Sequence, residues 1–226
     1  MERYYKTELH THTSPVSSCS DIEAKKMVEI YKKNGYDSIV LTNHFTVQLP
    51  GESTEEKIKW YLQDYYKCCE EGALVGLNVI LGAELRFTEN NNDYLIFGIS
   101  PEDFKDIYKL LPYGIDTFYR EYINEKNVII QAHPFRDGMQ SVNPESLDGV
   151  EVFNLHLNHN SRIGLAAKYA HENQLIATCG SDVHHYGQEC LCGILTSKPL
   201  ENSYDVSDVL KSRDYRMTIG GYLVSI

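Results

Sequence analysis

Short apolar segments recur along the chain, and amphipathic stretches lie between many of them. Six of these segments are rich in branched side chains, which is typical of strands that are buried on both faces of a sheet. The predicted strands cover residues 36–41, 78–81, 94–97, 128–130, 149–153 and 175–178. The pattern therefore predicts a core built largely from short, fully buried strands.

Amphipathic patterns predict helices between several of the strands. Ser20 and Glu23 have the spacing of a capping box at the start of a helix over residues 20–33. Further helices are predicted over residues 54–71, from residue 101 onward, and over residues 161–173. Strand–helix alternation of this kind predicts a mostly parallel α/β sheet, and both an open doubly wound sheet and a closed barrel are compatible with it. About seven such units in a chain of this length favour a small barrel.

Charge and composition narrow the class of protein. The chain has 226 residues and a formal net charge of −11. No apolar run reaches the roughly 18–20 residues of a membrane span, and the first residues lack the apolar stretch of a secretory signal. We therefore expect a cytoplasmic protein with no membrane partner and with free thiols. The lack of a basic run argues against long nucleic acid as a ligand, because phosphate binding needs a positive surface.

Histidine and carboxylate side chains follow several of the apolar segments at the points where the segments end. The chain has nine histidines. The residues at segment ends are His10, His12, His44, Glu84, His133, Asp182 and His184. The carboxyl ends of strands in α/β folds form the edge where sites are built, so we expect these side chains to converge. A site rich in imidazole and carboxylate suits catalytic zinc, manganese, iron or magnesium more than a structural cysteine site.

Five short motifs at these positions resemble, in order and spacing, those of the PHP (polymerase and histidinol phosphatase) superfamily. The motifs are Glu8-Leu9-His10-Thr11-His12-Thr13, Leu41-Thr42-Asn43-His44, Leu81-Gly82-Ala83-Glu84, Gln131-Ala132-His133-Pro134 and Gly180-Ser181-Asp182-Val183-His184. The resemblance implies a distorted (β/α)7 TIM-like barrel, formed by a single domain over residues 1–226. It also implies two to three divalent metal ions and the hydrolysis of phosphoesters.

The resemblance further implies a role for each strand-end residue. The first metal would be held by four side chains: His10, His12, Glu84 and Asp182. Glu84 would bridge to a second metal that also uses His133. A third metal would be held by His44 and His184.

The chain departs from the family pattern in three places. Asn43 stands where the second motif usually has aspartate, and the strand over residues 94–97 lacks a histidine that many members carry. The stretch after the first motif also lacks a further histidine, and Cys19 and Asp21 are the residues there that could replace it. The ligand sets of the second and third metals are therefore expected to differ from those of typical members.

The leading functional hypothesis is a phosphomonoesterase that acts on a small phosphorylated molecule. A metal-bridging hydroxide near Glu84 would be the nucleophile, since clustered divalent ions lower the pKa of bound water towards about 7. Asp182 and His184, with His133, would orient groups or transfer protons. Arginines suit the free phosphate oxygens because the guanidinium group is a planar fork of donors. The candidates are Arg86, Arg136 (also considered catalytic) and Arg162.

Three alternatives remain open on the sequence. A nuclease or nucleotide phosphodiesterase fits the family, although the net charge disfavours long substrates. An amidohydrolase also presents a His-x-His pair on a barrel, but such enzymes usually bridge their metals with a modified lysine, and Glu84 occupies that place here. The third alternative is a non-catalytic metal-binding module. The pattern makes no prediction about oligomeric state.

Overall fold

Strands and helices alternate along the chain, and a computed structural model describes them over residues 3–140 and 142–224. The strands are β1 (Tyr5–Thr11), β2 (Ser38–Leu41), β3 (His44–Phe45), β4 (Asn78–Leu81), β5 (Ala83–Arg86), β6 (Asp93–Phe97), β7 (Val128–Gln131), β8 (Gly149–Asn154), β9 (Ile176–Gly180), β10 (Cys192–Thr196), β11 (Arg216–Ile219) and β12 (Tyr222–Val224). The helices are α1 (Ala24–Lys33), α2 (Thr54–Val75), α3 (Phe104–Leu110), α4 (Ile115–Tyr122), α5 (Ile163–Glu172) and α6 (Ser203–Ser212). None of these helices is long and apolar enough to cross a membrane.

The strands pair into two six-stranded sheets, in the orders β12-β11-β10-β1-β2-β4 and β3-β5-β6-β7-β8-β9. Neighbours run parallel from β1 through β2 to β4, from β3 to β5, and from β7 through β8 to β9. The other pairs are antiparallel, so both sheets are mixed where the pattern predicted mostly parallel pairing. Part of the reason is the short connection over residues 87–92, which has no room for a crossover helix, so that β5 and β6 pair as a hairpin.

The two sheets are joined at two places, which we call seams. β4 runs into β5 after a single residue, Gly82, where a Cβ would lie 2.8 Å from a neighbouring side chain. On the other side, the chain that follows β9 pairs with β1, because the Asp182 N–H donates to the His10 carbonyl at 3.1 Å. Both seams place strand ends from the two sheets side by side, at the edge where the strand-end histidines lie.

A cluster of buried aromatic rings supports the short strand β3. Phe45 packs edge-on against Tyr61 of α2 and Phe104 of α3, with ring centroids 4.8 Å apart in both pairs. All three side chains are buried, and burying a ring of this kind contributes about 1.5–3 kcal/mol. The cluster therefore fixes the position of the neighbouring residue, His44.

The predicted elements agree with the structure over most of the chain, with one clear exception. The strand predicted over residues 78–81 has the same bounds as β4, and the other five predicted strands overlap β2, β6, β7, β8 and β9. The capping box predicted for Ser20 and Glu23 is wrong. Glu23 is the N-cap of α1 but its side chain makes no cap bond. Ser20 Oγ instead donates to the His12 carbonyl at 2.9 Å, because the loop before α1 is folded back onto the end of β1.

Candidate metal centre

The seven side chains that the sequence placed at strand ends meet in one buried cluster. They lie at or just after the ends of β1, β2, β4, β7 and β9, where His44 begins the short strand β3 and Glu84 lies near the start of β5: His10, His12, His44, Glu84, His133, Asp182 and His184. All but His44 are buried, and that side chain is only 24% exposed. The predicted convergence at one edge of the fold is thus present.

His10 and His12 aim their Nε2 atoms at the same point. These two atoms are 3.0 Å apart, and Asp182 Oδ1 lies 3.4 Å from each of them. Glu84 completes the group, with Oε1 3.4 Å from His10 Nε2 and Oε2 3.3 Å from His12 Nε2. Two imidazole nitrogens and two carboxylates around one point can together bind a divalent metal ion.

Glu84 also reaches two further imidazoles, so its carboxylate lies between neighbouring groups of ligands. Its Oε1 is 3.2 Å from His133 Nε2, and its Oε2 is 2.8 Å from His44 Nδ1. Asp93, the first residue of β6, lies 3.9 Å from His133 Nε2. His44, Glu84 and Asp93 offer ligand atoms that all lie within 4.8 Å of one another.

A third group consists of imidazoles alone. His12, His44 and His184 offer ligand atoms within 4.8 Å of one another. The His12 ring stacks on the other two, with centroid separations of 4.5 Å to His44 and 4.3 Å to His184. His184 Nδ1 lies 3.0 Å from the Asp182 carbonyl, which can only accept, so the proton sits on Nδ1 and Nε2 keeps its lone pair.

Several of these buried polar atoms have no hydrogen-bond partner among the described residues. They are Glu84 Oε2, Asp182 Oδ1 and His133 Nδ1. Leaving a buried polar group unpaired costs about 1–3 kcal/mol, and more for a charged one. Bound divalent cations would neutralise the carboxylates and engage their free oxygens, so the residues present fit a group of metal ions.

The electrostatics of the cluster favour cations. Burial disfavours charge on His10, yet the carboxylates of Glu151, Asp182 and Glu84 raise its pKa well above the ordinary value. Burial likewise opposes ionisation of Glu84, but His44 and His10 hold its pKa well below the usual range. The carboxylates and imidazoles of the cluster therefore stabilise each other's charged forms, and a cation could take the place of an imidazolium proton.

Glu151 is a member of the centre that the sequence motifs did not reveal. Its Oε1 is 2.9 Å from His10 Nδ1, and its Oε2 accepts from the His133 backbone N–H at 3.1 Å and from Asn154 Nδ2 at 2.8 Å. Gly180 leaves the space for this contact, because a Cβ there would overlap the Glu151 carboxylate. A carboxylate behind a ligating imidazole fixes its tautomer and orientation. The sequence did contain a signal, since Glu151 is the only charged residue of β8 and stands between two valines.

The three candidate arginines occupy different surroundings. Arg136 lines the cavity above the cluster, where its Nη2 pairs with Asp182 and donates to Asn154 Oδ1 at 2.9 Å. Arg86 lines the same cavity and makes two hydrogen bonds of 2.7 Å to Asp93. Arg162 does not line it. Its guanidinium donates to the Phe135 carbonyl at 2.6 Å and pairs with an exposed aspartate.

The cavity above the cluster has a volume of about 480 Å³, which suits a small molecule. His156, His159 and Cys19 also line it. Burial lowers the pKa of His156 to about 4, so this imidazole is neutral near pH 7. Asp21, the other residue considered as a replacement ligand, is exposed and lies 3.3 Å from His185 Nδ1.

Fold and cluster together define a mixed α/β protein whose strand ends carry groups of His, Asp and Glu side chains that are able to bind metal. The PHP domain family model matches residues 8–188. The chain therefore belongs to the PHP domain family, which confirms the resemblance seen in the motifs.

Solved structures with a similar fold are distant in sequence. One is a two-domain protein from Bacteroides vulgatus that contains a predicted PHP-like metal-dependent phosphoesterase, with a TM-score of 0.70 and 17% identity over 99% of this chain and 67% of that chain. PsfC from Pseudomonas syringae has a TM-score of 0.64 and 17% identity over 95% of this chain and 92% of its own. An amidohydrolase from Chromobacterium violaceum, with bound sulfate and no metal, has a TM-score of 0.55 and 14% identity over 95% and 98%. No curated protein gives a significant match. At such identities the likeness establishes the fold alone.

Proposed function

We propose that the protein is a metal-dependent phosphomonoesterase that hydrolyses a small phosphorylated molecule. The observation that carries the proposal is the set of three adjoining ligand groups at the floor of a cavity that two arginines line. Membership of the PHP domain family supports a phosphoester substrate. The net charge of −11 supports a small substrate over a polyanion.

The ligands fall into three proposed sets that share members. The first metal would be held by His10, His12, Glu84 and Asp182. Glu84 would also serve a second metal, together with His133 and with Asp93, which stands in the strand where many members carry a histidine. His44 and His184 would hold a third. When bound, these ions would neutralise the phosphate and lower the pKa of a bound water towards about 7.

We propose that Arg136 binds a non-bridging phosphate oxygen. Its Nη2 is anchored by Asn154 and Asp182, and its buried Nε has no partner among the described residues. A guanidinium that is held at one nitrogen and free at another can present a donor in a fixed direction. Asp182, which contacts this arginine, and His184, whose Nδ1 lies 3.0 Å from the Asp182 carbonyl, complete the proposed catalytic residues.

The same proposal includes the closed form of the fold. The two seams between the sheets support a distorted barrel of the PHP type, with the metal centre at one end. The continuous family match over residues 8–188 supports one domain over residues 1–226. Neither point affects the chemistry of the centre, which depends on the local contacts.

Turnover measurements on the metal-loaded protein test the proposed function. The protein would be mixed with p-nitrophenyl phosphate and a panel of metabolite monoesters in the presence of zinc, manganese or iron. We expect release of phosphate that Asp182→Asn abolishes. The proposal would be refuted if none of these metals supported turnover of any of the esters. Faster cleavage of bis(p-nitrophenyl) phosphate than of the monoester would favour the phosphodiesterase alternative instead.

A further inference from the structure

The ligand group formed by His44 and His184 is short of protein donors. His12 offers its Nε2 to the same point as His10, 3.0 Å away, so this atom belongs to the first metal. Two imidazoles then remain for a third ion, whereas catalytic zinc sites use three protein ligands and structural sites use four. Glu84 Oε2 is buried and lies 2.8 Å from His44 Nδ1 on the other side, but it makes no well-aligned hydrogen bond among the described residues. The structure therefore shows a ligand group that is open towards the cavity.

The loop that carries Cys19 is tied to both imidazoles of this group. On one side of the cysteine, Ser17 Oγ accepts from the His44 backbone N–H at 3.1 Å. On the other side, Ser20 Oγ donates to the His184 carbonyl at 3.1 Å, and the Asp21 N–H donates to the same carbonyl at 3.0 Å. These bonds fix the backbone before and after Cys19 relative to the two histidines.

The Cys19 side chain is exposed and lines the same cavity as His44 and His184. The other nearby replacement is excluded by its position, because Asp21 pairs with His185 at the surface. Cys19 is thus the side chain in this loop that can complete the group. It stands in the stretch where the family pattern has a further histidine.

We infer that Cys19 supplies a thiolate ligand to an ion held by His44 and His184. The third position then becomes a mixed cysteine–histidine site. Thiolate ligands favour zinc and other borderline or soft ions, whereas magnesium and calcium prefer oxygen. The inference deepens the proposed metal centre and rests on metal binding only, since it does not require that the reaction be phosphate hydrolysis.

Cobalt substitution of the full chain tests this assignment with a readout that is independent of activity. A thiolate bound to Co²⁺ gives a sulfur-to-metal charge-transfer band in the near ultraviolet, which imidazole and carboxylate ligands do not give. We expect the band in the wild-type protein and its loss in Cys19→Ser, with a decrease of about one bound ion per chain. Cys69→Ser is the matched control, because Cys69 lies on α2 outside the cavity lining, and it should keep the band.

A second variant separates loss of the ligand from loss of the fold. Cys19→His restores an imidazole, so it should keep the bound ion but lack the sulfur band. A wild-type cobalt protein without the band, or a Cys19→Ser protein that keeps it, would overturn the inference. Phosphatase turnover without the band would leave the proposed function standing and refute the role of Cys19. The band without turnover on any ester would do the reverse.

Discussion

Glu151→Gln is expected to weaken metal binding although the residue contacts no metal site directly. The carboxylate of Glu151 accepts three hydrogen bonds in the interior, from His10 Nδ1, from the His133 N–H and from Asn154 Nδ2. Glutamine has the same shape but only one accepting oxygen. One side of the new amide must therefore present an N–H₂ group to a donor.

Either orientation of the glutamine amide is expected to weaken metal binding or the hydrogen bonds that support it. If its nitrogen faces His10, then Nδ1 has to become the acceptor and the imidazole proton moves to Nε2. That nitrogen lies 3.0 Å from His12 Nε2 and could no longer bind a metal. If its nitrogen instead faces His133 and Asn154, two buried donors lose their acceptor. Removing such a supporting carboxylate typically costs 10–100-fold in metal affinity, or about 1.4–2.7 kcal/mol.

Competition with a coloured zinc chelator measures this effect. The dissociation constant of the tightest zinc would be compared among the wild type, Glu151→Gln and Glu145→Gln, an exposed glutamate that serves as the control. Circular dichroism of the metal-free proteins would show whether the fold is kept. A folded Glu151→Gln protein with the wild-type dissociation constant would refute the reasoning, because His10 would then not need its carboxylate partner.

Three further changes have expected outcomes. Gly180→Ala should lower the melting temperature of the metal-free protein, since a Cβ there would lie 2.5 Å from the His10 Cβ. Overpacking of this kind costs about 1–3 kcal/mol, and an unchanged melting temperature would contradict it. Arg136→Lys should raise KM more than it lowers kcat, and elemental analysis should show an unchanged metal content. A lysine ammonium that bonds Asn154 and Asp182 has no second nitrogen with which to donate to the phosphate in a fixed direction. A fall in metal content would show a structural role instead. Burial raises the pKa of Asp64 above its ordinary 3.8, so the folded state binds the proton more tightly and loses stability as pH rises above that value. Asp64→Asn should flatten this decline in urea unfolding experiments at several pH values, and equal slopes for both proteins would refute the assignment.

The cluster of candidate metal ligands could be predicted largely from local signals. His44 and His133 follow apolar segments directly, and the spacing of His10 and His12 places both on one face of an extended chain. Each of these signals lies within one segment, and the side chains converge because the parallel strands present their carboxyl ends at a common edge. The bounds of β4 were predicted correctly for the same reason, because they depend only on the residues within that segment.

The residues that were missed depend on the arrangement of the two sheets. Asp93 begins an apolar strand and Glu151 lies inside one, so both fit the pattern of core strands in the sequence. Only the antiparallel course of β6 turns the start of that strand, and not its end, towards the cluster. Arg136 and Arg162 show the same limit, since both follow candidate site segments and only the folded chain shows that the first lines the cavity.

The buried carboxylates of the cluster explain why histidines surround them and why metal ions would bind there. Arg136 pairs with Asp182, whereas Glu84 and Glu151 face imidazoles instead of permanent cations. In the metal-free protein these carboxylates raise the pKa of His10 well above its ordinary value, so an imidazolium supplies part of the compensating charge. An imidazole must be neutral at the nitrogen that binds a metal, so an ion that binds His10 would have to displace this proton. The same carboxylates would thus stabilise an imidazolium when ions are absent and the ions when they are present, which allows Glu84, Glu151 and Asp182 to be buried in one cluster.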